Sequence, residues 1–149
     1  MRRFLTPLVL ATLAMPAFAE DDYIRPVQHP LTQEECSACH MAYPPSLLPA
    51  RSWSEIMNTL DDHFGEDASL GEEARAEIEA YLVSAAGDAN GRRFRAAPAD
   101  ETPLRITDLP WFNREHKREV STRMLERAGS MSNCSACHRG AERGYFEDD

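Results

Sequence analysis

The chain has 149 residues, of which 42% are hydrophobic and 28% are charged, and its formal net charge is −9 at pH 7. This acidic excess argues against a nucleic-acid-binding protein, because such a protein needs a basic surface to contact phosphates. Beyond the N-terminus no stretch approaches the roughly 20 apolar residues that cross a bilayer, so we predict no membrane span in the mature chain.

The first 19 residues are typical of a signal peptide. Arg2 and Arg3 supply a positively charged start, residues 4–15 are mostly apolar, and residues 17–19 (Ala-Phe-Ala) form a small-x-small cleavage site. We therefore predict export to the periplasm and a mature chain that begins at Glu20.

The sequence CSACH occurs at residues 36–40 and again at residues 134–138, and the two copies contain all four cysteines. Cys-x-x-Cys-His is the attachment signature of c-type haem: two thiols bond to the porphyrin vinyl groups and the histidine binds the iron. Residues i, i+3 and i+4 of a helix share one face, so the three side chains can reach one flat ring. Disulfides, a zinc site or a redox dithiol are alternative uses of the cysteines, but none explains both histidines. We therefore predict two covalent c-type haems, attached through Cys36, Cys39, Cys134 and Cys137, with His40 and His138 as proximal iron ligands.

Three helices are predicted in the first half, each beginning at a capping box in which Ser or Thr is followed three residues later by Glu. The first begins at Thr32, carries the first CSACH sequence and stops before Pro44. The second (residues 53–64) follows Ser52, and the third (residues 70–86) follows Ser69. Their apolar stripes are Trp53, Ile56, Met57, Leu60 and Phe64 in the second helix and Ala74, Ile78, Tyr81, Leu82 and Ala85 in the third.

Residues 87–110 have no sustained apolar period and are rich in Gly, Pro, Ala and charge, which predicts a linker or long loop. This segment divides the mature chain into an N-terminal haem domain (residues 20–90) and a C-terminal haem domain (residues 91–149). Little strand pattern is present, so we predict an all-α fold.

In the C-terminal domain, Asn113 is predicted to cap a helix that ends near Ala128, before Gly129. Its inward stripe is formed by His116, Val120, Met124 and Ala128. A short fifth helix, beginning near Ser132 or Asn133, is predicted to carry the second CSACH sequence.

The chain after residue 138 contains no His, Met, Cys or Lys, so the second axial ligand of the second haem must lie upstream. We predict His116, which lies on the buried face of its helix, and Met124 stays open as an alternative. Met131 is too close to the attachment sequence to reach the opposite side of the haem.

For the first haem we predict His63, at the end of the second helix, in preference to Met41 and Met57. His29, which precedes a proline, is a third candidate for either iron. Two histidine ligands give a lower reduction potential than histidine with methionine. They also leave no open coordination site, which favours electron transfer over catalysis. Whether each distal histidine serves the haem of its own domain stays open.

Three segments, CSACHMAYPPSLLPARSW, HFGEDASL and the terminal CSACHRG, resemble the bacterial dihaem cytochrome c family, DHC. The resemblance extends over nearly the whole mature chain. It implies an N-terminal domain like a class I cytochrome c, a small helical C-terminal domain, and two bis-histidine haems packed close together. The implied ligands are His40 with His63 for the first haem and His138 with His116 for the second. The resemblance also implies, as a redox partner, a small monohaem c-type cytochrome that binds ligands such as oxygen.

We therefore predict a periplasmic, low-potential electron-transfer protein that is not an enzyme, is a monomer, and passes electrons from a respiratory donor, such as a membrane cytochrome, to another redox protein. Residues 20–90 contain 15 acidic and 3 basic side chains, whereas residues 91–149 contain 10 and 11. The basic residues of the second half form either a docking patch or an ordinary solvated surface. The alternative function is a haem enzyme or gas sensor with one five-coordinate iron.

Overall fold

The computed structural model of the chain describes residues 23–89 and 100–147. The predicted signal peptide, its cleavage site and residues 90–99 of the predicted linker lie outside these residues. In the described parts the chain forms five α-helices: α1 (Pro30–Cys36), α2 (Ala50–Asn58), α3 (Glu72–Ser84), α4 (Pro110–His116) and α5 (Thr122–Ala128).

Over the same residues the strand-type pairings are two isolated bridges, between Tyr23 and Tyr145 and between His63 and Glu66. The predicted all-α fold is therefore confirmed, whereas the likeness of the first half to a class I cytochrome c stays a prediction. None of the helices described is long and apolar enough to cross a bilayer.

The core is built where α2 packs against α3. Trp53, Ile56 and Met57 of α2 are buried against Ile78 and Leu82 of α3, which confirms these members of the two predicted stripes. Removal of such large apolar side chains from water is the main stabilising contribution to a domain of this size.

Residues from beyond the predicted linker complete this core. Leu109, with 1% of its surface exposed, and Phe112 of α4 pack in the same cluster as Trp53. The two ends of the described chain also meet, since the amide of Ile24 donates to the carbonyl of Gly144 at 2.8 Å. The division of the chain at residue 90 stays a prediction.

The predicted helix starts are wrong by two or three residues. α1 begins at Pro30, and the Nδ1 atom of His29 accepts the amide of Thr32. α2 begins at Ala50, whose amide donates to the carboxylate of Asp88 at 2.7 Å. In each case a partner outside the capping-box pattern satisfies one of the free amide groups of the first turn.

The predicted end of the second helix is also wrong. α2 stops at Asn58 and a short 3-10 turn, Leu60–Asp62, follows it. Phe64, the last residue of the predicted stripe, is 44% exposed. The predicted start of the third helix is wrong as well. α3 begins at Glu72, after Gly71, and not at residue 70.

The helix predicted between residues 113 and 128 is two helices. α4 ends at His116, and α5 begins after Ser121, whose hydroxyl accepts the amide of Met124 at 3.3 Å. A serine hydroxyl that binds a nearby backbone amide offers the chain an alternative to continued helix, and this explains the break. Asn113, the predicted cap, lies inside α4.

Substitutions at Ser52 and Ser121 test the start of α2 and the break before α5. Ser52 is fully buried inside α2, and its hydroxyl has no hydrogen-bond partner among the described residues. Because a buried hydroxyl without a partner is destabilising, we expect Ser52→Ala to raise the free energy of unfolding by about 1 kcal/mol.

Ser121→Ala removes a side-chain cap and should lower the free energy of unfolding by about 1 kcal/mol. Urea unfolding of the two variants beside the unmodified protein measures both changes. A loss of stability in Ser52→Ala would mean that the hydroxyl has a stabilising partner after all.

Candidate functional site

The two CSACH sequences have different backbone conformations. Cys36 is the last residue of α1, whereas Cys39 and His40 lie in the turn that follows. The prediction that the first helix carries the whole sequence is therefore wrong. The helix ends at its C-cap residue Ser37, whose hydroxyl donates to the carbonyl of Gln33.

The second CSACH sequence forms a single helical turn. The amides of Cys137 and His138 both donate to the carbonyl of Cys134, at 3.2 and 2.8 Å. The predicted fifth helix is thus reduced to this turn, with a 3-10 segment at Cys134–Ala136.

No disulfide links the four cysteines, all of which lie in the described residues. Burial raises the pKa of Cys36, and the charge of Glu35 raises it further. Burial also raises the pKa of Cys134, with a contribution from Cys137. Before haem is attached, the thiols of Cys36 and Cys134 are therefore held in the protonated, less reactive form.

Each predicted distal histidine lies beside the proximal histidine of its own half of the chain. The ring centres of His40 and His63 are 6.1 Å apart, and those of His116 and His138 are 6.0 Å apart. With metal–nitrogen bonds of about 2 Å, and the bonding nitrogen about 1 Å from its ring centre, two imidazoles on opposite sides of one metal ion have centres about 6 Å apart. Both pairs therefore have the spacing that one iron between them requires.

Hydrogen bonds to backbone carbonyls fix the orientation of three of these four rings. The Nδ1 atoms of three of them lie at 2.8 to 3.1 Å from backbone carbonyl oxygens. These pairs are His40 with Met41, His116 with Phe112, and His138 with Glu147. Because a carbonyl oxygen only accepts, each Nδ1 carries the proton and donates it, which leaves Nε2 with a free lone pair. A ligand histidine that is fixed through its other nitrogen is the usual arrangement at protein metal sites.

A family model for dihaem cytochrome c matches residues 32–146. The chain belongs to this family. It therefore binds two c-type haems, as the repeated attachment sequence predicts.

Solved structures support the same assignment. A diheme cytochrome c from Rhodobacter sphaeroides is 60% identical, with a TM-score of 0.79, over 82% of this chain and 99% of that chain. A diheme cytochrome type c from Shewanella baltica is 40% identical, with a TM-score of 0.66, over 79% and 86% of the two chains. No curated protein matches the chain.

Two recesses in this dihaem cytochrome each reach one histidine of a pair. A recess of about 370 Å³ touches Cys39 and His40, and one of about 470 Å³ touches His116. The first is lined by Gln33, Ser37, Ala38, Cys39, His40, Met41, Ala42 and Glu142. The second is lined by Thr107, Phe112, Asn113, His116, Lys117, Val120, Ser121, Thr122, Leu125 and Met131.

His63 is held by a tight turn and not by a helix. Its amide donates to the carbonyl of Glu66 at 2.7 Å, and Phe64 and Gly65 between them have φ values of 59° and 100°. Positive φ at both central residues defines a type I′ turn, which is uncommon for a residue such as Phe. The guanidinium of Arg105 lies 3.8 Å from the centre of the Phe64 ring and stabilises this conformation.

The surroundings of His63 also keep its imidazole neutral. Burial lowers the pKa of His63, and the charges of His40 and Arg105 lower it further. A neutral imidazole is the form that binds a metal ion.

His29, the third candidate, has neither ring nitrogen available. Its Nδ1 accepts the amide of Thr32, and its Nε2 lies 3.1 Å from a carboxylate oxygen of Glu77. This histidine instead caps α1.

Two residues of the site were missed by sequence reasoning. Phe112 stacks on His116 with ring centres 3.9 Å apart and planes inclined by 15°, and the i, i+4 spacing on a helix could have revealed this contact. Arg105, over Phe64, lies too far along the chain for any local pattern to indicate it.

The attachment roles of Cys134 and Cys137 can be tested by replacing both with Ser. Because each haem needs its own pair of thiols, we expect the mature variant to hold one covalent haem in place of two. Mass spectrometry of the denatured protein counts the haems, and Ser135→Ala, between the two cysteines, is the matched control that should keep both. Two covalent haems in the double variant would contradict the assignment.

Proposed function

We propose that this dihaem cytochrome is a low-potential, monomeric electron carrier of the periplasm in which two histidines bind each iron. In this proposal His40 and His63 bind the first iron, and His138 and His116 bind the second. The spacing of the two ring pairs, 6.1 and 6.0 Å, is the observation that carries the proposal.

The haems would supply reversible one-electron chemistry, and the residues of the chain tune it. Histidine in place of methionine as the second axial ligand lowers the reduction potential. The carbonyls that accept from the Nδ1 atoms of His40, His116 and His138 make these ligands more basic. A more basic ligand stabilises the ferric state, which lowers the potential further.

Export to the periplasm rests on the signal sequence of residues 1–19. The proposed route leads from a respiratory donor, such as a membrane cytochrome, to another redox protein, such as a small monohaem cytochrome. Exposed charged groups lie on both halves of the chain: Glu73 on α3, and Arg123 and Arg127, with Glu126 between them, on α5. Such groups orient brief encounters with charged redox partners.

Replacement of the distal histidines tests the ligation. We expect His116→Ala to convert the second iron from low-spin to high-spin or water-bound, and His63→Ala to do the same at the first iron, because each change removes one axial ligand. One of the two low-spin signals should then disappear from the electron paramagnetic resonance (EPR) spectrum of each variant. His29→Ala is the matched control and should keep both signals. A His63→Ala or His116→Ala protein with both signals intact would show that a different residue binds that iron.

One observation favours the alternative of a haem enzyme or gas sensor. Among the residues described, the Nδ1 atom of His63 has no hydrogen-bond partner, in contrast to the other three candidate ligands. A ligand without such a restraint is the one that an external ligand displaces most easily, so an open iron would arise at the first site.

Carbon monoxide separates the two functions. In an electron carrier with two histidines on each iron, we expect the absorption spectrum of the reduced protein to stay unchanged when carbon monoxide is added. Rapid binding of carbon monoxide to one haem would favour the sensor or enzyme. The His63→Ala variant is the positive control, since its absorption spectrum should change when carbon monoxide binds to the first haem.

A further inference from the structure

Tyr43 contacts both haem-attachment segments. Its ring lies against that of His40, with centres 4.9 Å apart and planes inclined by 23°. Its hydroxyl donates to the carbonyl of Ser132 at 2.7 Å, two residues before Cys134. One side chain thus connects the proximal histidine of the first site to the backbone that leads into the second site.

A second contact joins the same two segments. The hydroxyl of Ser135, inside the second CSACH sequence, lies 3.7 Å from the sulfur of Met41. Met41 directly follows His40 and accepts its Nδ1 proton. Since a thioether sulfur is a weak acceptor, the hydrogen bond from Tyr43 is the stronger of the two connections.

The position of Tyr43 is set by rigid neighbours. It precedes Pro44, which restricts its backbone to extended conformations, and both Pro44 and Pro45 are buried. The indole N–H of Trp53 donates to the carbonyl of Pro45 at 2.7 Å. Tyr43 is therefore tied to α2 and the core, and a shift of either attachment segment would have to displace it.

We propose that Tyr43 is the positioning residue that couples the two haem sites. Its ring fixes the plane of His40, and its hydroxyl fixes the second attachment segment relative to the first. This inference rests on the proposed function, because it concerns haems bound through His40 and His138. The two roles are separable, since Tyr43→Phe keeps the ring and removes only the hydroxyl.

Tyr81 provides a matched control. Its ring lies against that of His29, with centres 5.0 Å apart and planes inclined by 20°. Its hydroxyl accepts the amide of Gln28 at 2.7 Å. The two rings lie nearly as those of Tyr43 and His40 do, but His29 belongs to neither proposed haem site.

The experiment compares the unmodified protein with Tyr43→Phe, Tyr43→Leu and Tyr81→Phe, each with its haems attached. Mass spectrometry counts the haems, EPR spectra report the orientation of the axial rings at each ferric iron, and spectroelectrochemical titration gives the two midpoint potentials. The potentials are informative because the electrostatic effect of one iron on the other depends on the distance between them.

For Tyr43→Phe we expect two haems and unchanged EPR signals, but a shift in the separation of the two midpoint potentials. For Tyr43→Leu we expect, in addition, a shift in the g values of the first low-spin signal only. Tyr81→Phe should change none of these quantities.

Three outcomes would overturn the inference. An unchanged separation of potentials in Tyr43→Phe would show that the hydroxyl does not couple the sites. Unchanged g values in Tyr43→Leu would show that the ring does not hold His40. Loss of a haem from Tyr43→Phe would contradict the separation of the two roles. Failure of the proposed function is distinct, because the unmodified protein itself would then lack two low-spin haems.

Discussion

Four imidazole rings must keep their positions if two irons are to be bound, and backbone carbonyls hold three of these rings. The accepting carbonyls belong to Met41, Phe112 and Glu147. They lie in three different kinds of segment: the turn after the first attachment sequence, a helix, and the C-terminal tail. Because a carbonyl cannot donate, it fixes both the direction of the ring and the nitrogen that carries the proton. The short tail after the last histidine is therefore part of the candidate site, since its backbone orients His138.

The features that depend on local spacing could be predicted from the sequence. These are the two attachment sequences, the helical class and the buried positions of α2 and α3. The spatial pairing of His63 with His40 and of His116 with His138 was also predicted, although their binding of iron stays a prediction. The helix starts could not be predicted, because they depend on distant partners. The carboxylate of Asp88 binds the amide of Ala50 from 38 residues away, so that α2 begins before Ser52 and buries it.

The break between α4 and α5 has the largest consequence for the second site. A continuous helix would keep Val120 and Met124 on one stripe with His116, as the sequence period suggests. In the structure the chain turns after His116, where the amide of Val120 still donates to the His116 carbonyl at 3.0 Å, and Ser121 then starts a new helix. This turn places Val120 and Leu125 around a recess beside His116. A local competition between a serine hydroxyl and the helix thus shapes the recess beside His116.

Identical attachment sequences do not make identical sites, because the distal histidines come from unrelated structures. His63 lies on a type I′ turn, and its ring plane is inclined by 24° to that of His40. His116 ends a helix, stacks on Phe112, and is inclined by 88° to His138. Nearly parallel ligand planes split the iron d orbitals that overlap with the rings, whereas perpendicular planes leave them almost equal in energy. With these rings as the proposed ligands, the two haems would differ in electronic structure although two cysteines and two histidines hold each of them, and the difference would originate in the backbone that carries each distal ring.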